Sequence, residues 1–360
     1  MTSDDKWLIT HDFAYQFGGA ERCTAVMADV VLPDAELLFM GGDEPTITRM
    51  GLDPQRVRTI LPGGARSGRL HRALSPVGAA RILSLPPYEG HLLASTYAFA
   101  HWRRAEGKKI IYCHSPLRQI YSAIDDSPLR LVPAGLRSRA LSSIWALDRR
   151  ASTESDVIVA TSSVVSDRIA EYWGRRPDIV IPPPVDLAHF SPAASPSRDY
   201  LLFVGRIVEP YKRLGLLIEA VRSSGERLLV AGEGRDRARL EATSPENVTF
   251  VGALEGEALR SLYANAFATI FPSVDDFGMV PIESMASGTP VVAYGAGGAL
   301  DTVIPEVNGL LFHDPSPGAI NDVVRAARAR SWAADVVRSS VERFSQTSFA
   351  SALANVVASG

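Results

Sequence analysis

The chain has 360 residues, 46% of them hydrophobic and 21% charged, with a formal net charge of −3. That length accommodates two domains with a core each, and the balance of charge excludes a general nucleic-acid binder. No uninterrupted apolar run approaches the ~18 residues of a membrane-spanning helix. The acidic start Met1-Thr-Ser-Asp-Asp-Lys6 does not resemble a signal peptide, and Cys23 and Cys113 have neither metal-ligand spacing nor the density of a disulfide framework. Both read as packed small hydrophobes in a cytoplasmic protein.

Trp7-Leu-Ile-Thr10 opens as a strand, and His11 and Asp12 at its end are candidate acceptor contacts. Gly18-Gly19 closes the following loop, and Ala20-Glu-Arg begins a helix. Glycines there let backbone approach a phosphate or sugar; a tight turn with positive φ is the plain alternative. Leu37–Phe39, Leu92-Leu93, Ile110–Tyr112, Asp156–Ala160 and Asp178–Ile181 continue the alternation of strand and helix that builds a parallel sheet. Between Pro54 and Tyr88 there is no acid, while Arg56, Arg58, Arg66, Arg69, Arg72, Arg81 and His71 fall inside. Residues 54–88 are therefore either a solvated loop or a surface that meets anionic lipid or a lipid diphosphate, which would put the protein peripherally at the inner membrane face. His114 lies just past Ile110–Tyr112, where Ser115-Pro116 turns the chain, and nearby Arg118 is a candidate partner for an acceptor phosphate or a carboxylate.

The series stops at Pro182-Pro-Pro and a Pro/Ser/Ala-rich stretch. This marks an N-terminal domain over 1–185, a linker over 186–199 and a second domain over 200–335. Leu201–Val204, Leu228–Val230, Val248–Val251, Ala268–Ile270, Pro290–Ala293 and Gly309–Phe312 form the second strand series, and Leu214, Leu217, Ile218 and Val221 make one apolar helix face. The fold class is α/β, two Rossmann-like doubly wound domains. Ligands in such sheets sit outside the carboxyl ends of the strands, so two facing domains would put a site in the cleft between them.

Gly205-Arg206 follows a strand at such an end, and Lys212 comes six residues after Arg206. Two fixed cations there suit a diphosphate that leaves with growing negative charge, in place of a metal ion, for which no ligand cluster is evident. Gly232-Glu-Gly234 reads as a glycine pair that makes room for a nucleotide. Ala268–Pro272 is a buried strand, followed by Asp275, a turn at Gly278 and a helix containing Pro281 and Ile282. The backbone N–H groups of Gly278, Met279 and Val280 are candidate diphosphate donors, with Glu283 facing a ribose diol and Asp275 the transferred sugar. Taken alone, each of these charges also reads as an ordinary surface residue.

Together the segments resemble a known family. Gly18-Gly-Ala-Glu-Arg22, Tyr112-Cys-His-Ser-Pro-Leu-Arg118, Pro182-Pro-Pro-Val-Asp186, Gly205-Arg206 with Lys212-Arg213, Asp275 to Glu283, and Gly297-Gly-Ala-Leu-Asp301 are similar to retaining glycosyltransferases of the GT-B fold (group 1, family 4), in particular bacterial O-antigen and exopolysaccharide mannosyltransferases. The family's E-x7-E signature begins here with Asp275, one methylene shorter. The resemblance implies metal-independent, retaining transfer of a hexose, best mannose from GDP-mannose, to a hydroxyl of a saccharide or lipid-linked saccharide acceptor. It also implies that the leaving phosphate takes the acceptor's proton, that His114 lines the reaction centre and that Leu254 meets the base. The last helix, around Trp332 to Phe349 and assigned with the C-terminal segment 336–360, is expected to cross back to the first domain. Open alternatives are a UDP- or dTDP-sugar enzyme acting on a soluble natural product, and a catalytically inactive nucleotide-sugar-binding subunit, which the shortened Asp275 supports and the retention of His114, Arg206, Lys212 and Glu283 together opposes. No G-x-G-x-x-G follows the first strand, which disfavours a dinucleotide dehydrogenase.

Overall fold

The computed structural model describes residues 6–61, 68–121 and 133–359, with backbone alone for 68–75, 118 and 119. Arg66 of the basic run therefore lies outside the described residues, as do the side chains of Arg69, His71, Arg72 and Arg118. Two compact units emerge: 1–184 with 349–360, and 185–348. No helix among the described residues is long and apolar enough to cross a membrane.

The first unit is built on a seven-stranded sheet. Its strands are β1 (Trp7–Ala14), β2 (Glu36–Gly42), β3 (Val57–Thr59), β4 (His91–Thr96), β5 (Lys109–Cys113), β6 (Val157–Ala160) and β7 (Ile179–Val180). They run in parallel in the order β3-β2-β1-β4-β5-β6-β7. Aliphatic runs such as Ile110-Ile-Tyr112 form these strands because helices cover both faces, so every position must be apolar. The chain winds outward from β1 to β3 and then resumes at β4 on the other side. This reversal leaves a crevice at the carboxyl ends of β1 and β4, where His11 lies opposite Ser95.

Ile9, Leu37, Phe39, Leu93, Ile110 and Tyr112 form the centre of the first core, joined by Phe349, Leu353 and Val356 from the helix Gln346–Ala358. Each of those three side chains contributes about 1.5–3 kcal/mol by leaving water. The Lys108 ammonium donates to the carbonyls of Val356 (2.6 Å), Val357 (3.3 Å) and Ser359 (2.5 Å) and so caps the helix end. A single returning helix over 336–360 is not what forms. Ala334–Ser339 and a 3-10 turn at Glu342–Phe344 pack through Val337, Val341 and Phe344 into the second core, and the returning helix starts only at Gln346. The break falls at Ser345, whose hydroxyl accepts from the Ser348 N–H at 3.1 Å, an N-cap that begins a new helix.

The second unit carries a six-stranded sheet. Its strands are β8 (Leu201–Val204), β9 (Leu228–Ala231), β10 (Val248–Gly252), β11 (Ala268–Phe271), β12 (Val291–Tyr294) and β13 (Gly309–Phe312). They too are parallel, in the order β10-β9-β8-β11-β12-β13, with the reversal between β8 and β11. The helix face expected at Leu214, Leu217, Ile218 and Val221 is buried against this sheet in Leu214–Ser224. Residues 186–199, expected as linker, contain no helix or strand and pack into the second core through Leu187 and Phe190.

Candidate active site

At the β1/β4 crevice of the first unit, buried polar side chains replace the apolar ones. Ser95 Oγ lies 2.8 Å from His114 Nε2, 2.8 Å from Thr24 Oγ1 and 3.2 Å from His11 Nδ1. Thr24 Oγ1 is also 3.0 Å from His11 Nδ1 and donates to the Ala20 carbonyl at 3.0 Å. The far nitrogen of His11, Nε2, is buried and faces Glu21 Oε1 at 3.6 Å. A carboxylate there favours the proton on Nε2, which makes Nδ1 an acceptor for the Ser95 hydroxyl, the Thr24 hydrogen being given to Ala20. Ser95 then accepts from His114 Nε2–H, and His114 Nδ1 becomes the acceptor of that ring. Burial and the neighbouring His11 push His114 down to about 3, so the ring is neutral at physiological pH.

Asp12 is a correction. It is fully buried, and its carboxylate accepts from Thr96 Oγ1 (3.0 Å) and from the backbone N–H groups of Tyr97 (2.6 Å), Ala98 (2.7 Å), Phe99 (2.7 Å) and Ala100 (2.8 Å). Those donors use up its lone pairs, so Asp12 organises the turn after β4 instead of meeting an acceptor. The same turn continues into a second buried centre. His101 Nδ1 contacts Thr96 Oγ1 at 3.1 Å, and His101 Nε2 lies 2.9 Å from Asp148. Asp148 also accepts from Trp102, Tyr121 and Trp173. Burial raises the Asp148 carboxyl, but His101 and these hydrogen bonds outweigh it and hold it below the usual range.

Gly18 also differs from expectation. Gly18 has φ −141°, an extended conformation open to any residue, and its N–H donates to Glu21 Oε2 at 2.8 Å. That N–H is spent on the start of the helix Gly19–Val26 and is not left for a phosphate. Cys23 and Cys113 are buried and form no disulfide, as read from sequence.

In the second unit the candidate residues gather at the carboxyl ends of β8 and β11. Gly205 and Arg206 follow β8, and the Arg206 side chain is exposed with no acceptor among the described residues. Lys212, expected to face a diphosphate beside Arg206, instead points at Asp275, with Nζ 2.8 and 2.6 Å from its two oxygens. The side chains are only 12% and 19% exposed, so each largely neutralises the other. These contacts engage two of the three ammonium hydrogens of Lys212. The Asp275 carbonyl accepts from the Gly298 N–H at 2.9 Å, which ties the Gly297-Gly298 segment to this turn.

Gly278 sits at φ +86°, the left-handed conformation that turns the strand exit into the helix Met279–Ala286. The N–H groups of Met279 and Val280 donate to no protein acceptor among the described residues, and both residues are half-buried. They point out of the positive end of the helix. Glu283, one turn inside, is 5% exposed and accepts from Tyr263 OH at 2.9 Å. Tyr263 lies on the preceding helix, Gly256–Asn265, and sequence carried no signal for it.

Gly234 has a different reason from the one expected. A Cβ on it would stand 2.0 Å from the Ile207 carbonyl, and one on Gly232 1.9 Å from that of Gly205. The two glycines let the β9 loop lie against the β8 loop that carries Arg206 and need no nucleotide to account for them. Leu254 is half-buried in the loop after β10, and the nearby Glu257 is tied to Arg260 at the surface.

Two parallel sheets, each with its polar residues at the strand reversal, define a GT-B type of architecture. Residues 185–330 match the family model for glycosyl transferases group 1, inside the second unit. The GDP-mannose-dependent alpha-mannosyltransferase of Mycolicibacterium smegmatis is 32% identical over 225 residues, covering 55% of this chain and 58% of that protein. The D-inositol 3-phosphate glycosyltransferase of Segniliparus rotundus is 34% identical over 191 residues, covering 46% of this chain and 42% of its own. The chain thus spans about half the length of these curated relatives. Among solved structures, Anabaena HepE in complex with UDP superposes with a TM-score of 0.69 at 20% identity, over 98% of this chain and 100% of that one, a likeness of fold. Residues 185–330 thus resemble the group 1 glycosyltransferases, and the fold of the chain is of the GT-B type.

Proposed function

We propose that the protein transfers a hexose from a nucleotide diphosphate sugar to a hydroxyl of a saccharide acceptor, with retention of anomeric configuration. The observation that carries this reading is the start of the helix Met279–Ala286. Its Met279 and Val280 N–H groups have no acceptor among the described residues, and the Lys212–Asp275 pair lies at the end of the same sheet, at the exit of β11. That end binds the diphosphate, with Arg206 as the second cation, and Asp275 meets the transferred sugar. A ribose diol reaches Glu283 only through its small exposed fraction. The acceptor oxygen bonds to the anomeric carbon as the bond to the diphosphate breaks, and the acceptor's proton passes to the departing phosphate. Arg206, Lys212 and the helix start stabilise the growing charge without a metal ion. The first unit supplies the acceptor side, with His114 neutral throughout.

GDP-mannose is the donor we favour, because two curated relatives, at 32% and 34% identity, are named for it. Thermal unfolding with GDP, UDP, dTDP and ADP tests the reading, since a ligand of the native state raises the melting temperature. A shift with GDP, followed by transfer from GDP-mannose giving an α-linked product by NMR, is the expected result. A shift with UDP or dTDP alone moves the donor to that base. No shift with any of the four refutes nucleotide-sugar binding.

A further inference from the structure

The first unit has a recess beside the edge strand β3 of its sheet, with no residue shared with the Ser95–His114 cluster. Arg58 of β3, Arg81 of the helix Gly68–Ser84, Leu85, Tyr88 and Arg103 line a hollow of about 440 Å³ whose floor includes Leu38 of β2. Its walls are mostly apolar and its charged groups are guanidinium groups. Arg103 is 6% exposed. Its Nη1 donates to the Pro86 carbonyl, while its Nε is buried with no acceptor. No carboxylate pairs with Arg103 among the described residues. Among the described residues Arg81 bonds only a carbonyl, that of Ile60 at 3.0 Å, and Arg58 alone of the three has an acid, Glu36 at 2.6 Å. Burial, then Arg104 and Arg58, push the Arg103 group below its ordinary value.

A buried cation without a counter-charge is costly, and proteins tolerate one chiefly where a partner arrives from outside. The planar fork of arginine matches phosphate oxygens in pairs, and the volume lies within the roughly 300–1,000 Å³ of small-molecule sites. The absence of any acid from 54 to 88 keeps the recess positive.

We propose that this recess is a second anion site that binds a phosphate monoester, with Arg103, Arg81 and Arg58 around the phosphate and the organic part against Leu38 and Leu85. It uses no residue of the donor site, so its failure and the failure of the transferase reading are separable. Its ligand comes either as a soluble phosphomonoester or as the headgroup of a phosphatidic acid.

Calorimetric titration of the full chain with glycerol 3-phosphate, and co-sedimentation with phosphatidylcholine vesicles containing phosphatidic acid, distinguish these sources. The wild type and Arg206→Ala are expected to bind alike, while the exposed double variant Arg58→Gln/Arg81→Gln weakens binding at least tenfold. Arg103→Gln, which keeps a donor for the Pro86 carbonyl, is expected to abolish it. Binding to the soluble ester identifies a small metabolite, and arginine-dependent binding to vesicles alone identifies a lipid. The proposal is overturned if neither probe binds. It is equally overturned if Arg206→Ala removes the binding while Arg58→Gln/Arg81→Gln leaves it unchanged.

Discussion

Lowering the pH from 7.5 to 5 should cost the wild-type protein about 2 kcal/mol more stability than it costs a His114→Gln variant. In the folded chain His114 titrates at about 3, pushed down by burial and by His11, whereas in the unfolded chain its value is the ordinary 6.5 or so. The folded value is the lower one, so protons bind the unfolded chain first. The stability linked to the neutral ring is complete above about pH 6.5 and is lost progressively as the pH falls toward 3. At pH 5 the medium lies about 1.5 units below the unfolded value and well above the folded one, and roughly 1.4 kcal/mol per unit gives the 2 kcal/mol. Gln keeps an amide within reach of Ser95 but does not titrate, so the difference between the two proteins isolates this ring. Urea unfolding at both pH values measures it, and the imidazole proton resonance of His114 should stay flat between pH 8 and pH 5. A titration midpoint near 6.5 for His114, or parallel stability losses in the two proteins, would refute the assignment of a half-buried neutral imidazole.

Arg206→Ala should lower turnover on the order of 10²-fold with an unchanged melting temperature, because the side chain is exposed and holds no other part of the fold; full activity in this variant contradicts its role at the diphosphate. Asp275→Asn should lower kcat while leaving affinity for the free nucleotide diphosphate near wild type, and unbalancing Lys212 should cost about 1–3 kcal/mol of stability in urea, between the values for exposed and buried pairs. Asp12→Ala should destabilise by at least about 3 kcal/mol, since the backbone donors from Tyr97 to Ala100 and the Thr96 hydroxyl lose their acceptor. Chelation with EDTA should leave transfer activity intact, and an activity restored only by added Mg²⁺ would count against the arginine and helix-start clamp.

The sequence by itself determined the two sheets, because buried parallel strands must be written as short aliphatic runs and the covering helices as apolar faces, and both are local patterns. Leu201–Val204 and the face of Leu214, Leu217, Ile218 and Val221 were legible for that reason. The turn at Gly278 and the helix after it were legible too, since a glycine and a proline restrict backbone angles wherever they stand. β3 escaped notice because Val57-Arg-Thr59 is a short edge strand with two exposed residues. What only the tertiary structure decided was the partner of each charge. Lys212 meets Asp275 across 63 residues of chain, and Tyr263 meets Glu283 across 20. Asp12 gathers donors more than 80 residues away. A carboxylate reads the same in sequence whether it awaits a ligand or is already saturated by backbone N–H groups. The order of strands brings those groups together, and it is set by burial summed over each unit.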